Sequence, residues 1–393
     1  MLAGPALALL LAGPAVGGAQ TAPVPSHEAG REPLDFRGPG RDAPEPEVSE
    51  VVLGWFGPGD PDHPEFGELW RGAVLALEQE NAAGGYHGKP FRLQPAWSES
   101  PWNAGVREVT RLVYQDKAWA VLGGVDGTTT HLAVQLALKS YFPLLSPGST
   151  DVTADLANVP WLFSLPPSDE ALAPLIAAAV ASAGGSGGFA VAAGTDHDAH
   201  AALVALRRAF GARKLAPRAL VELPEVEADL PAAVQQLLLP RPSAVVVLAR
   251  PTLAGRVVAE LRRTGYRGAL IGGAALGRAA FARAAGAAAE RVLAPAWVDT
   301  TRPQWHDFAE AFARRWGGPP DVGAADGYDA VRLVVAAVRS AGLNRPRIRD
   351  AVRALAPWPG AGGTVKWNAL GRNQPLPTMR RWNAGTLLPP ARP

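Results

Sequence analysis

The chain has 393 residues, more than the roughly 250–300 that one hydrophobic core usually serves, so two lobes are expected. It is 48% hydrophobic and carries 38 basic against 36 acidic residues, a net charge of +2 that provides no electrostatic footprint for nucleic acid. The lack of any cysteine excludes disulfides, thiol nucleophiles, cysteine-ligated metals and a lipid-modified N-terminal cysteine.

Residues 2–16 are almost wholly apolar and lead into Gly17-Gly18-Ala19, so residues 1–19 read as a signal peptide of an exported protein that is not a lipoprotein. Gly4, Pro5, Gly13 and Pro14 interrupt the run and leave it short of the ~20 residues of a spanning helix. Residues 20–49 are polar and proline-punctuated, from Pro23 to Pro46, and read as a flexible linker.

From Val51 onward, short apolar bursts alternate with helical spacing. Strands are predicted at 51–56, 91–93, 119–123 and 143–145, with helices at 70–81, 103–116 and about 129–139 between them. The pattern then restarts. Helices at 171–183, 199–210, about 229–239 and 253–264 alternate with strands at 189–193, 218–221, 244–248, 269–271 and 291–294. Residues 304–355 read as mostly helical, and 364–367 and 379–382 as a terminal strand pair. Such alternation implies parallel sheets covered on both faces. The expected fold is therefore α/β, with two doubly wound parallel-sheet lobes enclosing a cleft.

Catalytic motifs find little support. Gly184-Gly185-Ser186-Gly187-Gly188 matches G-x-S-x-G, but it joins a helix to a strand, the reverse of a nucleophile elbow. The GK pair in Gly84–Pro90 lacks P-loop spacing, and no strand is followed by G-x-G-x-x-G. Asp196-His197-Asp198-Ala199-His200 is the one dense group of metal-ligand types. Asp196, His197 and His200 would serve a metal-dependent enzyme, whereas a polar loop capping the next helix is the plainer reading. No cofactor and no enzymatic activity are expected.

Several segments in order resemble the leucine/isoleucine/valine-binding family of periplasmic solute-binding proteins. Glu80-Asn81-Ala82-Ala83-Gly84-Gly85-Tyr86-His87-Gly88-Lys89-Pro90 is similar to its N-a-x-G-G-x-x-G-k-p turn. Leu144–Thr150 resembles its strand end p-x-i-S-p-x-a-T, Trp161–Asp169 its first passage between lobes, and Ala325–Ala330 its a-x-x-Y-d-A helix. The resemblance implies a type I bilobed fold with a three-strand hinge, crossing near 163–166, 293–297 and 362–366. Lobe 1 would comprise 50–163 and 295–362, and lobe 2 164–294 and 363–393. It also implies a monomer in the periplasm that captures a small molecule and delivers it to an ABC permease in the inner membrane; a sensory module of the same fold is the alternative.

In that family a ligand carboxylate meets amides and hydroxyls after the third and fourth strands. The matching positions are Asp126, Gly127 and Thr128, then Gly148, Ser149 and Thr150, where a helix N-terminus favours an anion. Ser149 and Thr150 also fit plain turn chemistry, and Asp126 fits a helix cap. Phe66, Trp97 and Trp102, with Ser98 between the tryptophans, flank the proposed cleft, and Asp198 is a further candidate contact that also fits the cap of the helix beginning near Ala199. The family serine falls on Gly127, its second-lobe aromatic on Arg250, and its ammonium-binding acid near Ala274. Arg250 is read either as a carboxylate receptor or as a surface ion-pair partner. With no acid at Ala274, a small polar metabolite, either an organic acid or an amino-acid-like compound, is expected ahead of an ordinary branched-chain amino acid.

Overall fold

The computed structural model describes residues 40–183 and 188–388. The signal-peptide segment, residues 20–39 of the linker and residues 184–187 of the glycine loop lie outside the described residues. The first unit runs β1 (Val51–Phe56), α1 (Gly67–Ala82), β2 (Phe91–Ala96), α2 (Val106–Thr110), β3 (Val121–Gly123), α3 (Gly127–Ser140), β4 (Leu144–Ser146), α4 (Thr153–Leu156) and β5 (Leu162–Ser164). Its strands form one parallel sheet in the order β2-β1-β3-β4-β5. Each residue of β1 is buried, as a central parallel strand covered on both faces requires.

The second unit follows as α5 (Asp169–Ala183), β6 (Phe189–Ala193), α6 (His197–Ala212), β7 (Ala219–Glu222), α7 (Leu230–Leu238), β8 (Ala244–Leu248), α8 (Pro251–Arg263), β9 (Ala269–Gly272), α9 (Ala279–Ala285) and β10 (Leu293–Ala296). The chain then adds α10 (Pro303–Trp316), α11 (Val322–Ala341), α12 (Arg345–Ala354), β11 (Trp358–Pro359), β12 (Thr364–Val365), β13 (Thr378–Asn383) and β14 (Thr386–Leu388). The second sheet has the order β14-β13-β10-β9-β8-β6-β7, parallel except for the last two strands in sequence.

After β10 the chain returns to the first unit, where α11 packs on α1. Small residues make that packing close: a Cβ on Gly72 would lie 1.9 Å from the Ala324 carbonyl oxygen, and one on Gly327 would lie 2.2 Å from that of Leu69.

Three expectations need correction. Residues 40–49 are docked on the first lobe rather than free. Tyr86 donates its hydroxyl to Glu45 at 2.6 Å, and Asn344 donates to the Gly40 carbonyl at 2.7 Å. The terminal strands do not pair with each other, because β12 pairs with β11 while β13 pairs with β10 and β14. The third passage between the sheets follows Asn373 rather than lying at 362–366. Asp329 accepts from the amides of Ala361 and Gly362, and Arg372 and Asn373 are strapped to β5 through Ser164.

Candidate ligand-binding site

Both sheets turn the carboxyl ends of their strands toward one cavity of about 310 Å³. This is where an open α/β sheet exposes strand-end turns and helix N-termini to a ligand. The first lobe contributes Asp126 and Thr128 after β3, Gly148 and Thr150 after β4, and the aromatic pair Phe66 and Trp97. The second contributes Asp196, His197 and Asp198 at the start of α6, Arg250 after β8 and Ala274 after β9. Trp297 and Asp326, from the returning chain, close one side, and the Trp297 indole donates to Asp326 at 3.0 Å.

The β3–α3 turn is locked by a capping box. Asp126 accepts from the Thr129 amide at 2.8 Å, while Thr129 Oγ1 accepts from the Asp126 amide at 3.3 Å. The next free amide, that of Gly127, donates across the cleft to Asp198 Oδ1 at 2.8 Å. A side chain of the protein thus holds the place at this helix end where the resemblance put a ligand carboxylate.

Other sequence-chosen residues fall in three groups. Trp97 packs edge-on to Phe66, with ring centres 6.0 Å apart, and lies 6.1 Å from Phe56, which makes an aromatic wall. Thr150 faces the cavity and donates to Asp169 at 3.0 Å. Trp102, Ser98, Gly127 and Ser149 do not line the cavity. Trp102 is 61% exposed, and Ser98 bonds within its own turn to Ser100. Ser149 is buried, and its carbonyl accepts from Arg372 at 2.9 Å. Arg250 stands exposed at the rim.

Sequence reasoning missed Asp169, Asp326, Glu65 and Arg278, and took Asp196 only as a metal ligand or part of a capping loop, although all five line the cavity. Asp169 and Asp326 stand inside segments that carried the family resemblance, so the signal was present there but unread. Together the lining holds seven carboxylates, counting Glu99, against Arg250, Arg278 and His197. Burial pushes the carboxyls of Asp126, Asp198 and Asp326 above the usual range, and their acidic neighbours add to the effect. Burial also pushes Asp169 up to about 7. Arg278 pairs with Asp321 at 3.1 Å, but its buried Nη2 has no hydrogen-bond partner.

The metal reading of Asp196, His197 and His200 is not what the fold assembles. Asp196 caps α6 by accepting from the Ala199 amide at 3.0 Å, and His200 is exposed one turn away. His197 instead reaches Asp151 Oδ2 in the first lobe at 2.7 Å, the atom that His131 contacts at 2.9 Å. Burial raises the Asp151 carboxyl, but hydrogen bonds from both histidines and Thr153 outweigh it and hold the group well below the usual range. Further links across the cleft join Arg283 to Glu68 at 2.8 Å and Thr252 to Glu65. The lobes are closed around the cavity.

The family model of periplasmic binding proteins matches residues 59–381. The chain belongs to that family. A curated relative described as an amino acid binding protein, from Pseudomonas aeruginosa, is 37% identical over 105 residues, which is 26% of this chain and 28% of the relative. This binding protein therefore matches well under a third of that relative's length.

Among solved structures, the branched-chain amino acid transporter substrate-binding protein LivJ from Streptococcus pneumoniae, in complex with isoleucine, has a TM-score of 0.79 at 24% identity, covering 86% of this chain and 97% of LivJ. The leucine-binding protein LivK from Thermotoga maritima has a TM-score of 0.76 at 18% identity, with 86% and 97% covered. A solute-binding protein of an ABC transporter from R. palustris, in complex with benzoate, has a TM-score of 0.77 at 18% identity, with 86% and 95% covered. At these identities the likeness establishes the fold: two parallel α/β lobes around a cleft. Among the described residues no helix is long and apolar enough to cross a membrane.

Proposed function

We propose that this binding protein is exported to the periplasm and captures an amino-acid-like solute, bearing an ammonium group beside a carboxylate, for an ABC-type permease of the inner membrane. It acts as a monomeric carrier with no catalytic step. Lobe 1 comprises residues 50–164 and 298–373, and lobe 2 comprises 169–296 and 378–388. The three connecting passages act as the hinge.

The charge of the cavity carries this reading. Four of its carboxyls, Asp126, Asp169, Asp198 and Asp326, are held above their ordinary range, first by burial and then by nearby acids. A cation entering among them relieves both penalties at once. The partnerless Nη2 of Arg278 supplies a buried donor for a carboxylate, which an amine alone would leave unmet. An amine-free organic acid, the other class expected from the sequence, fits less well, because Asp198 already occupies the Gly127 amide. The cavity of about 310 Å³ matches a small solute, and the wall of Phe66 and Trp97 offers it an apolar face.

Thermal unfolding against a panel tests the reading. The panel comprises neutral and basic amino acids, ω-amino acids, simple amines and amine-free carboxylates. A ligand at ~100 times its Kd adds about 2.7 kcal/mol. Stabilisation is expected from compounds carrying both groups. A response confined to amine-free carboxylates restores the organic-acid reading and overturns this one.

A further inference from the structure

We propose that His131, Asp151 and His197 form a binding site for a borderline divalent transition metal of the Zn²⁺ class that bridges the two lobes at the rim of the cavity. This is a second site, and it does not depend on which solute the cavity holds.

The three residues come from separate elements. His131 lies in the first turns of α3, Asp151 follows the β4 turn and is fully buried, and His197 opens α6 on the opposite lobe. The Nε2 atoms of both histidines converge on one oxygen, Asp151 Oδ2, at 2.9 and 2.7 Å. The donor atoms of the group all lie within 4.8 Å of one another. The rings stand 5.2 Å apart at 83°, so they meet edge to face with both nitrogens aimed at the carboxylate.

Tetrahedral zinc with bonds of about 2.0–2.2 Å separates its donor atoms by roughly 3.3 Å, so an opening of about half an ångström at the present contacts admits the ion. The carboxylate is already oriented for it, because Asp151 Oδ1 accepts from the Thr153 amide and from Thr153 Oγ1, both at 2.8 Å. The histidine side chains are 27% and 43% exposed, which leaves a fourth position open to water. Two imidazoles and one carboxylate are borderline donors that favour Zn²⁺, Ni²⁺ or Cu²⁺ over Mg²⁺ and Ca²⁺.

Because the ligands come from both lobes, the ion binds only the closed arrangement. By linkage it favours closure, and any solute that also favours closure tightens the metal by the same factor. His197 lines the cavity as well, so the ion would sit where the two lobes meet beside the solute.

The test uses untagged, chelator-stripped protein without added solute. Wild-type protein is titrated with Co²⁺, read by the visible absorption of a four-coordinate site, and with Zn²⁺, read by calorimetry. One ion per chain is expected. His131→Gln and His197→Gln should each weaken binding roughly tenfold or more, and His200→Gln should leave it unchanged. Melting of each variant without metal establishes that it is folded. The absence of stoichiometric binding by the wild type, or binding that survives either the His131 or the His197 substitution, overturns the site. Neither result bears on the solute, so this failure and a failure of the transport reading remain separable.

Discussion

The main-chain N–H of Gly127 and the carboxylate of Asp198 meet across the cleft at 2.8 Å, joining the N-terminus of α3 in one lobe to the first turn of α6 in the other. The contact depends on glycine, since a Cβ at position 127 would lie 2.2 Å from Asp198 Oδ1. The substitution of glycine for the serine expected in this loop and the acidic character of the opposite wall are therefore one feature. The glycine makes room for a carboxylate that the chain itself supplies.

Gly127→Ala should push Asp198 off the helix end and spread the lobes. The solute-free protein should then show a larger radius of gyration by small-angle X-ray scattering, with little loss of global stability. Combining Gly127→Ser with Asp198→Ala should restore a vacant anion site and move the binding preference toward carboxylates. An unchanged preference in the double variant would sink this account of the pair.

The affinity for an ammonium-bearing solute should depend on pH through Asp169, which burial pushes up to about 7 and which faces Thr150 at 3.0 Å. A cation needs the ionised form, so below about pH 7 a proton must be released on binding. Affinity then falls as pH drops, approaching about tenfold per pH unit. The folded pKa lies above the unfolded one, so the same group has the opposite effect on the free protein. Its contribution to stability is fully present below the unfolded pKa and is lost as pH rises to about 7. Calorimetric titration with solute across this range checks the first sign and urea unfolding of the free protein the second; in Asp169→Asn both profiles should flatten.

Arg372 holds the hinge. It is 2% exposed, pairs with the buried Asp155, and donates to the carbonyls of Ser149 at 2.9 Å, Asp151 at 2.8 Å and Pro166 at 3.1 Å. Arg372→Ala leaves Asp155 uncompensated and should cost about 3–5 kcal/mol in urea unfolding. Arg372→Lys should recover only part of the loss, because one ammonium cannot reach this set of acceptors.

The two tryptophans of the β2–α2 loop should separate in a binding assay. Trp97 lies against Phe56 and Phe66 and lines the cavity, whereas Trp102 is 61% exposed and does not. Trp97→Ala should weaken the solute by about 1 kcal/mol or more, and Trp102→Ala should leave affinity unchanged. Equal losses would place the aromatic wall elsewhere.

The fold was largely legible because its signals are local. The strands at 51–56, 189–193 and 244–248 coincide with the observed β1, β6 and β8, since buried parallel strands appear in sequence as unbroken apolar runs. The start of α3 was legible because Asp126 caps it, whereas at α6 the sequence pointed to Asp198 and the cap is Asp196, since Asp198 is drawn away to the Gly127 amide. The strand pairing near the C-terminus was not, because β12 finds β11 and β13 finds β10 through contacts that leave no periodic mark in the residues between them.

At the cavity, the family resemblance pointed to the turns after β3 and β4, and Asp126, Thr128, Gly148 and Thr150 of those turns line it together with Phe66, Trp97 and Asp198. The sequence alone could not establish the sign of the site. Asp169, Asp196, Asp198 and Asp326 are distant in sequence from Asp126, and each reads singly as a cap or a solvated acid. Only closure of two lobes brings their carboxylates into one water-poor space, and electrostatic character belongs to that shared space rather than to any residue's neighbours along the chain.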